Sequence, residues 1–308
     1  MSNKIFLVIQ REFLTRVRKK SFIILTILMP FLMAALVTAP MWLGATNTDV
    51  ATNDMATSDI ATTDMATAAG YFLTFLIYMF VLSYGSMVMQ GVMEEKTSRI
   101  MELMVSSVKP FEMMMGKILG ILCVGLFQML IWFVTMVIFL LVLAAVMGDG
   151  SLMSDIAMMK DVWSMVSTLP LGEMTLMFVL YFLGGYILYT SYFAACGAAV
   201  NSQEDSGMFM TPMIFVMIFA MYAAMGSAEN TNGPLAVWTS LFPLTSPIVM
   251  MIRIPFGVAL WEEIVSLVIL YATAFLCVAI GAKIYRVGIL MYGKKPSLKE
   301  MWKWIKFK

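Results

Sequence analysis

Charge is concentrated in Gly91-Val-Met-Glu-Glu-Lys-Thr-Ser-Arg-Ile-Met-Glu-Leu-Met-Val-Ser-Ser-Val-Lys-Pro110, between two strongly apolar stretches. Glu95 and Arg99 lie four residues apart with the acid first, the favourable order for an ion pair along a helix. Ile100, Leu103 and Met104 add an apolar edge, and Pro110 suits the first position of a new helix. This pattern suits contact rather than catalysis. It fits either a solvated helical connector or a docking helix for a cytoplasmic partner. The chain has no histidine, which removes the commonest metal ligand and the commonest general base. Cys123, Cys196 and Cys277 lie in separate apolar stretches without close pairing, which suits small apolar residues better than a disulfide or metal cluster. No G-x-x-x-x-G-K-[ST] loop occurs, because Gly116-Lys117 lacks both the upstream glycine and the following hydroxyl. No catalytic set, metal site or cofactor is expected, so an enzyme is disfavoured.

The elements that carry these residues are expected to be membrane helices. Hydrophobic residues make up 61% of the chain and charged ones 13%, far from a soluble domain. A helix needs about 20 apolar residues to cross the hydrocarbon core. Six candidates follow: Phe22–Gly44, Tyr71–Val92, Ile118–Met147, Met174–Val200, Met208–Gly226 and Ile264–Lys283. Threaded in that order, 18 of the 20 Lys and Arg fall on one side, leaving Lys160 and Arg253 on the other. Because basic loops stay cytoplasmic, both termini are expected inside the cytoplasmic (inner) membrane. The expected fold is all-α and polytopic, one transmembrane domain over 1–308. The net charge of +1 gives no reason to expect a nucleic-acid partner.

The joining segments differ in character. Within residues 1–20, Ile5, Ile9, Phe13 and Val17 form one stripe, with Lys4, Arg11, Arg18 and Lys19 largely off it, as in a helix lying in the membrane interface. Residues 46–70 contain four copies of a five-residue unit beginning at Asp49, Asp54, Asp59 and Asp64. Their alanines and threonines offer little apolar surface, so a solvated external linker is expected. Residues 229–263 carry four prolines among apolar residues. That suggests short re-entrant helices dipping into the outer leaflet and shielded by protein. In the tail, 284–308, Leu298, Met301, Trp302 and Ile305 alternate with lysines, predicting attachment to the inner membrane surface.

The spans themselves hold few ionisable groups. Lys117, Glu173 and Lys283 sit at span ends, where snorkelling would keep them wet. No carboxylate pair is expected at mid-membrane, which argues against the usual proton or ion relay. Gln90 and Gln128 are expected to hydrogen-bond between helices. Gly116 and Gly120 form a G-x-x-x-G, and Gly184, Ala194, Gly197 and Ala198 line much of another span, all permitting close helix contact.

Four segments resemble the membrane subunit of type-2 ABC exporters, nearest to the sodium-efflux permease branch. They are Glu94-Glu-Lys-Thr-Ser-Arg-Ile-Met-Glu102 with Ser106-Ser-Val-Lys-Pro110, then Asn201-Ser-Gln-Glu-Asp205, then Phe242-Pro-Leu-Thr-Ser-Pro-Ile-Val-Met250 with Arg253, and finally Lys283 to Pro296. The resemblance implies a permease working with a separate ABC ATPase subunit, two copies of which pair with two membrane domains. The second membrane domain would be another copy of this chain or a paralogue. It also implies that 93–116 is the coupling-helix region, with Glu94, Glu95, Arg99 and Glu102 contacting the ATPase. Where that branch often carries a folded external domain, this chain has only the pentads, so sodium is not inherited as substrate. A small amphipathic compound is the other cargo considered. A non-transporting membrane scaffold with the same fold is the alternative.

Overall fold

Helices whose apolar residues cover most of their circumference bury one side in protein and leave the other to lipid. The computed structural model describes residues 2–20, 22–24, 26–28, 30, 54–98, 109–147 and 169–291. Nearly all of this is helix: α1 (Ser2–Val17), α2 (Asp54–Thr97), α3 (Pro110–Met147), α4 (Leu171–Ala199), α5 (Gln203–Glu229), α6 (Pro234–Leu241), α7 (Ser246–Arg253) and α8 (Leu260–Gly288). A 3-10 turn, Ile254–Phe256, follows α7. Among the described residues α2, α3, α4, α5 and α8 are long and apolar enough to cross a membrane. Most of the first expected span, Phe22–Gly44, lies outside the described residues, so five of the six expected spans are seen. Phe133, Phe215 and Phe275 stand exposed on the bundle, as befits surfaces whose solvent is lipid. The protein is a multi-pass membrane protein.

The core forms between α2, α4 and α8, and small residues set how closely they approach. A Cβ on Gly197 would lie 2.6 Å from the Met89 carbonyl oxygen, and one on Gly281 would lie 3.0 Å from that of Ser191. Tyrosines of α4 and α8 clasp the backbones of neighbouring helices. The Tyr186 hydroxyl donates to the Ile118 carbonyl at 2.8 Å, Tyr192 donates to Phe209 at 2.8 Å, and Tyr271 donates to Leu180 at 3.0 Å. Gln128 accepts from the Tyr84 hydroxyl at 2.5 Å, the interhelical bond expected of it. Gln90 is exposed instead.

The pentad segment takes up regular structure. From Asp54 onward it is helical and continuous with the span, giving a helix of 44 residues, about 66 Å long. Alanine is the strongest helix former and extending an existing helix avoids the cost of nucleation, so low apolar content did not prevent helix here. The first pentad, from Asp49, lies outside the described residues. The proline-rich segment forms α6, α7 and the 3-10 turn. Every residue of α7 is buried, and Gly185 admits Pro247 at its N-terminus. The tail stripe, Leu298 to Ile305, also lies outside the described residues.

Three words of the resemblance acquire structural roles. Ser202 caps α5, accepting from the Asp205 amide at 3.3 Å while its hydroxyl donates to the Asp205 carboxylate at 2.8 Å. Leu244, in the third word, accepts from the Tyr189 hydroxyl, and Ile248 accepts from Thr74 at 3.1 Å. Arg253 is almost wholly buried and donates to the Thr231 carbonyl at 2.7 Å, to Ser240 at 2.6 Å and to Glu262 at 2.8 Å. That guanidinium ties the α5–α6 turn, α6 and α8 together. Tyr285, in the fourth word, is fully buried near the far end of α8.

Candidate functional site

The end of α2, the start of α3 and the end of α8 meet α1 at one end of the bundle. That end carries the described basic residues of α1 together with Lys96, Lys117, Lys283 and Arg286. The stripe of α1 is half-buried and packs on α3. Gly116 and Gly120 make room for it. A Cβ on Gly116 would lie 2.8 Å from the Val8 side chain, and one on Gly120 would lie 2.8 Å from the Glu12 Cβ. The partner of the G-x-x-x-G is therefore the N-terminal helix.

Glu12 shares a face with that stripe and is 7% exposed. Burial alone would raise its carboxyl, but Lys117 and Arg16 outweigh that effect and hold it below the ordinary carboxylate range. Arg16 lies 3.2 Å from one Glu12 oxygen, the i,i+4 arrangement on α1. Its other end reaches the Met87 carbonyl at 3.5 Å. Gly91 leaves room for that reach, since a Cβ there would sit 2.5 Å from the guanidinium.

Lys117 is the centre of the cluster. Its ammonium lies 2.8 Å from Glu95, 3.4 Å from Glu12 and 2.9 Å from the Gly91 carbonyl, to which it donates. The sequence reading left Lys117 wet by snorkelling. In the structure it is 2% exposed, because three acceptors from α1 and α2 replace its water. Glu95 is its nearest carboxylate. Its carboxylate is buried against Lys117 and Arg11, the latter at 3.3 Å, and so faces the bundle. Glu94, one position on, is exposed. Arg99 and Glu102 lie outside the described residues, so the expected Glu95–Arg99 pair is not seen.

One charge at this end was missed by sequence reasoning. Lys96 is 1% exposed and donates to the Ala198 carbonyl at 2.7 Å. An ammonium on the last carbonyls of α4 meets the negative end of the helix dipole. Tyr285 of α8 is buried and close enough to Glu95 and Glu12 to feel their charge. At the opposite end, Glu263 falls in the first turn of α8, fully buried and electrostatically coupled to Glu173. It is the last residue of the segment expected to be re-entrant, just before the span expected from Ile264. Of the three span-end charges, Lys283 is exposed and Glu173 half-buried. Glu12, Arg16, Lys117, Glu95 and Arg11 together form an ionic clamp between α1, α2 and α3. Its charges are engaged with one another and none is aimed as a base or nucleophile, so what it offers is mechanical linkage.

Among the described residues no group of three or more His, Cys, Asp or Glu could hold a metal ion. The three cysteines are free thiols on α3, α4 and α8.

Residues 44–283 match the model of the ABC-2 family transporter protein. The chain is 31% identical over 237 residues to the uncharacterized protein YhaP of Bacillus subtilis, covering 75% of this chain and 53% of that protein. It is 25% identical over 228 residues to the uncharacterized protein MJ1024 of Methanocaldococcus jannaschii, covering 74% and 51% respectively. The chain thus spans about half the length of these curated relatives. No solved structure matches it. With more than half its length matched and its apolar helices arranged as a polytopic bundle, the chain belongs to the ABC-2 family of transporter proteins.

Proposed function

We infer that this chain is the permease subunit of an ABC exporter, moving its substrate outward with ATP hydrolysed on a separate subunit. The observation that carries the reading is the ionic clamp. A family of ATP-driven permeases needs cytoplasmic helices whose displacement is passed to the spans, and here α1 and the ends of two long apolar helices are bound through Lys117. In this reading the clamp lies at the cytoplasmic end, as the basic clusters require. Exposed Glu94, with Arg99 and Glu102 beyond it, then meets the ATPase. Glu95 serves the contact from inside by holding α1 and α3 in register. Two ATPase copies pair with two membrane domains, the second being another copy or a paralogue. The cargo is Na+ or a small amphipathic compound.

The test is co-purification of this chain with the ABC ATPase encoded beside it, followed by ATP turnover in lipid with and without the membrane subunit. Stable association with altered turnover supports the permease. Failure to associate with any candidate ATPase would leave the scaffold reading in its place.

A further inference from the structure

The clamp borders a cavity of about 450 Å³ whose lining changes character along its length. At one end are Arg11, Arg16 and Lys19 of α1, with Glu94, Glu95 and Lys117. At the other are Met79, Phe80 and Tyr84 of α2 and Gln128 and Trp132 of α3. Fourteen residues separate Phe80 from Glu94 on one helix, and fifteen separate Lys117 from Trp132 on the next. These correspond to about 21 and about 22 Å, so the cavity is long and narrow, with ions at its mouth and aromatic rings at its foot.

Two further observations bear on an occupant. The indole N–H of Trp132 is buried and has no acceptor, although a buried donor without a partner is costly. Trp132 is also held edge-on to Phe80, with ring centroids 5.3 Å apart, which keeps the apolar foot in shape. At the mouth, four cations face three carboxylates. Lys117 is consumed by Glu95 and Glu12, whereas Lys19 is exposed at the rim. The excess charge is positive and the volume falls within the range of small-molecule sites.

We propose that this cavity binds a single-chain amphiphile with an anionic head, the head at the Arg16–Lys19 rim and the chain along Phe80 and Trp132. An anion at the rim balances the excess cation. An apolar chain lies along the apolar lining at Met79, Phe80 and Trp132. Occupancy does not require that the ligand be transported, so binding is separable from the permease reading.

The test uses the full chain purified in a neutral detergent and three brominated quenchers of tryptophan fluorescence: lysophosphatidylglycerol, stearate and lysophosphatidylcholine. Saturable quenching by lysophosphatidylglycerol is expected, with that component absent in Trp132→Phe. Lys19→Gln, a change at an exposed rim residue, should weaken binding about fivefold. Stearate binding as tightly would assign recognition to negative charge alone. Lysophosphatidylglycerol binding without stearate would assign it to the phosphodiester head. Equal saturable quenching by zwitterionic lysophosphatidylcholine, or quenching unchanged in Trp132→Phe, would overturn the proposal.

Discussion

Lys117 and Glu95 form a buried ion pair at 2.8 Å between the first turns of α3 and the last turn of α2, 22 residues apart in the chain and joined through a charged connector. The pair is not isolated, because Lys117 also reaches Glu12 on α1. Removing the ammonium alone would leave two buried carboxylates short of a cation. Breaking one partner of a buried pair costs about 3–5 kcal/mol. Lys117→Met should therefore lower unfolding stability in detergent by that order. The double variant with Glu95→Gln should lose less than the sum of the single changes, since the partners share one interaction. Strict additivity in a thermal or denaturant titration would show that the pair contributes nothing.

Glu12 gives the clamp a pH dependence. Its carboxyl titrates below the ordinary value in the folded chain, against about 4.3 when unfolded. The unfolded chain therefore binds the proton first as pH falls. The contribution of Glu12 is fully present above about pH 4.3 and is lost as pH drops through its lower folded value. Glu12→Gln should reduce stability at neutral pH and flatten the acid limb of the stability curve. Parallel acid limbs for the two proteins would place the acid sensitivity elsewhere.

The face of α1 was legible in Ile5, Ile9, Phe13 and Val17, because a helical stripe needs only local spacing. What covers it was not, since Gly116 and Gly120 lie more than 100 residues away and glycine spacing names no partner. The same limit hid the clamp. Glu12 and Lys117 each looked like a flank charge suited to water, and only the packing of α1 on α3 brings them within 3.4 Å. The i,i+4 rule suggested Arg99 for Glu95 because it considers one helix at a time. Across helices, Lys117 and Arg11 occupy that carboxylate. At Asp54 a composition too polar for a core is well suited to extending a helix.

The two glycines under α1 differ in tolerance. At Gly116 an added Cβ meets the side chain of Val8, whereas at Gly120 it meets the Glu12 Cβ and lies 3.2 Å from the Ile9 carbonyl oxygen. Backbone cannot swing aside as a side chain can. Gly120→Leu should lift α1 from α3 and raise amide hydrogen exchange along residues 2–17, with Gly116→Ala having a smaller effect. Unchanged exchange in Gly120→Leu would mean that α1 is held by its charges and not by the close contact.

Arg253 secures the opposite end through three groups on separate elements. Lysine keeps the charge but cannot reproduce a planar fork with several fixed donors. Arg253→Lys is expected to lose about 3 kcal/mol or more, and Arg253→Met as much or more. The measurement is thermal unfolding in detergent, followed by exchange at 230–262. A lysine variant as stable as the parent would show that charge alone suffices there.

Neighbouring Glu94 and Glu95 separate contact from scaffold. Glu94 is exposed on the last turn of α2, while Glu95 is buried in the clamp. If exposed charge at this end meets the ATPase, Glu94→Arg should weaken association by reversing a surface charge while leaving stability within about 0.5 kcal/mol. Glu95→Gln should do the opposite first: it lowers stability by about 3 kcal/mol or more, and association falls only as the helices loosen. Measuring affinity for the ATPase alongside unfolding for both variants distinguishes the two roles. Equal loss of affinity from Glu94→Arg and Glu95→Gln without any loss of stability would mean that Glu95 leaves the clamp to meet the partner directly.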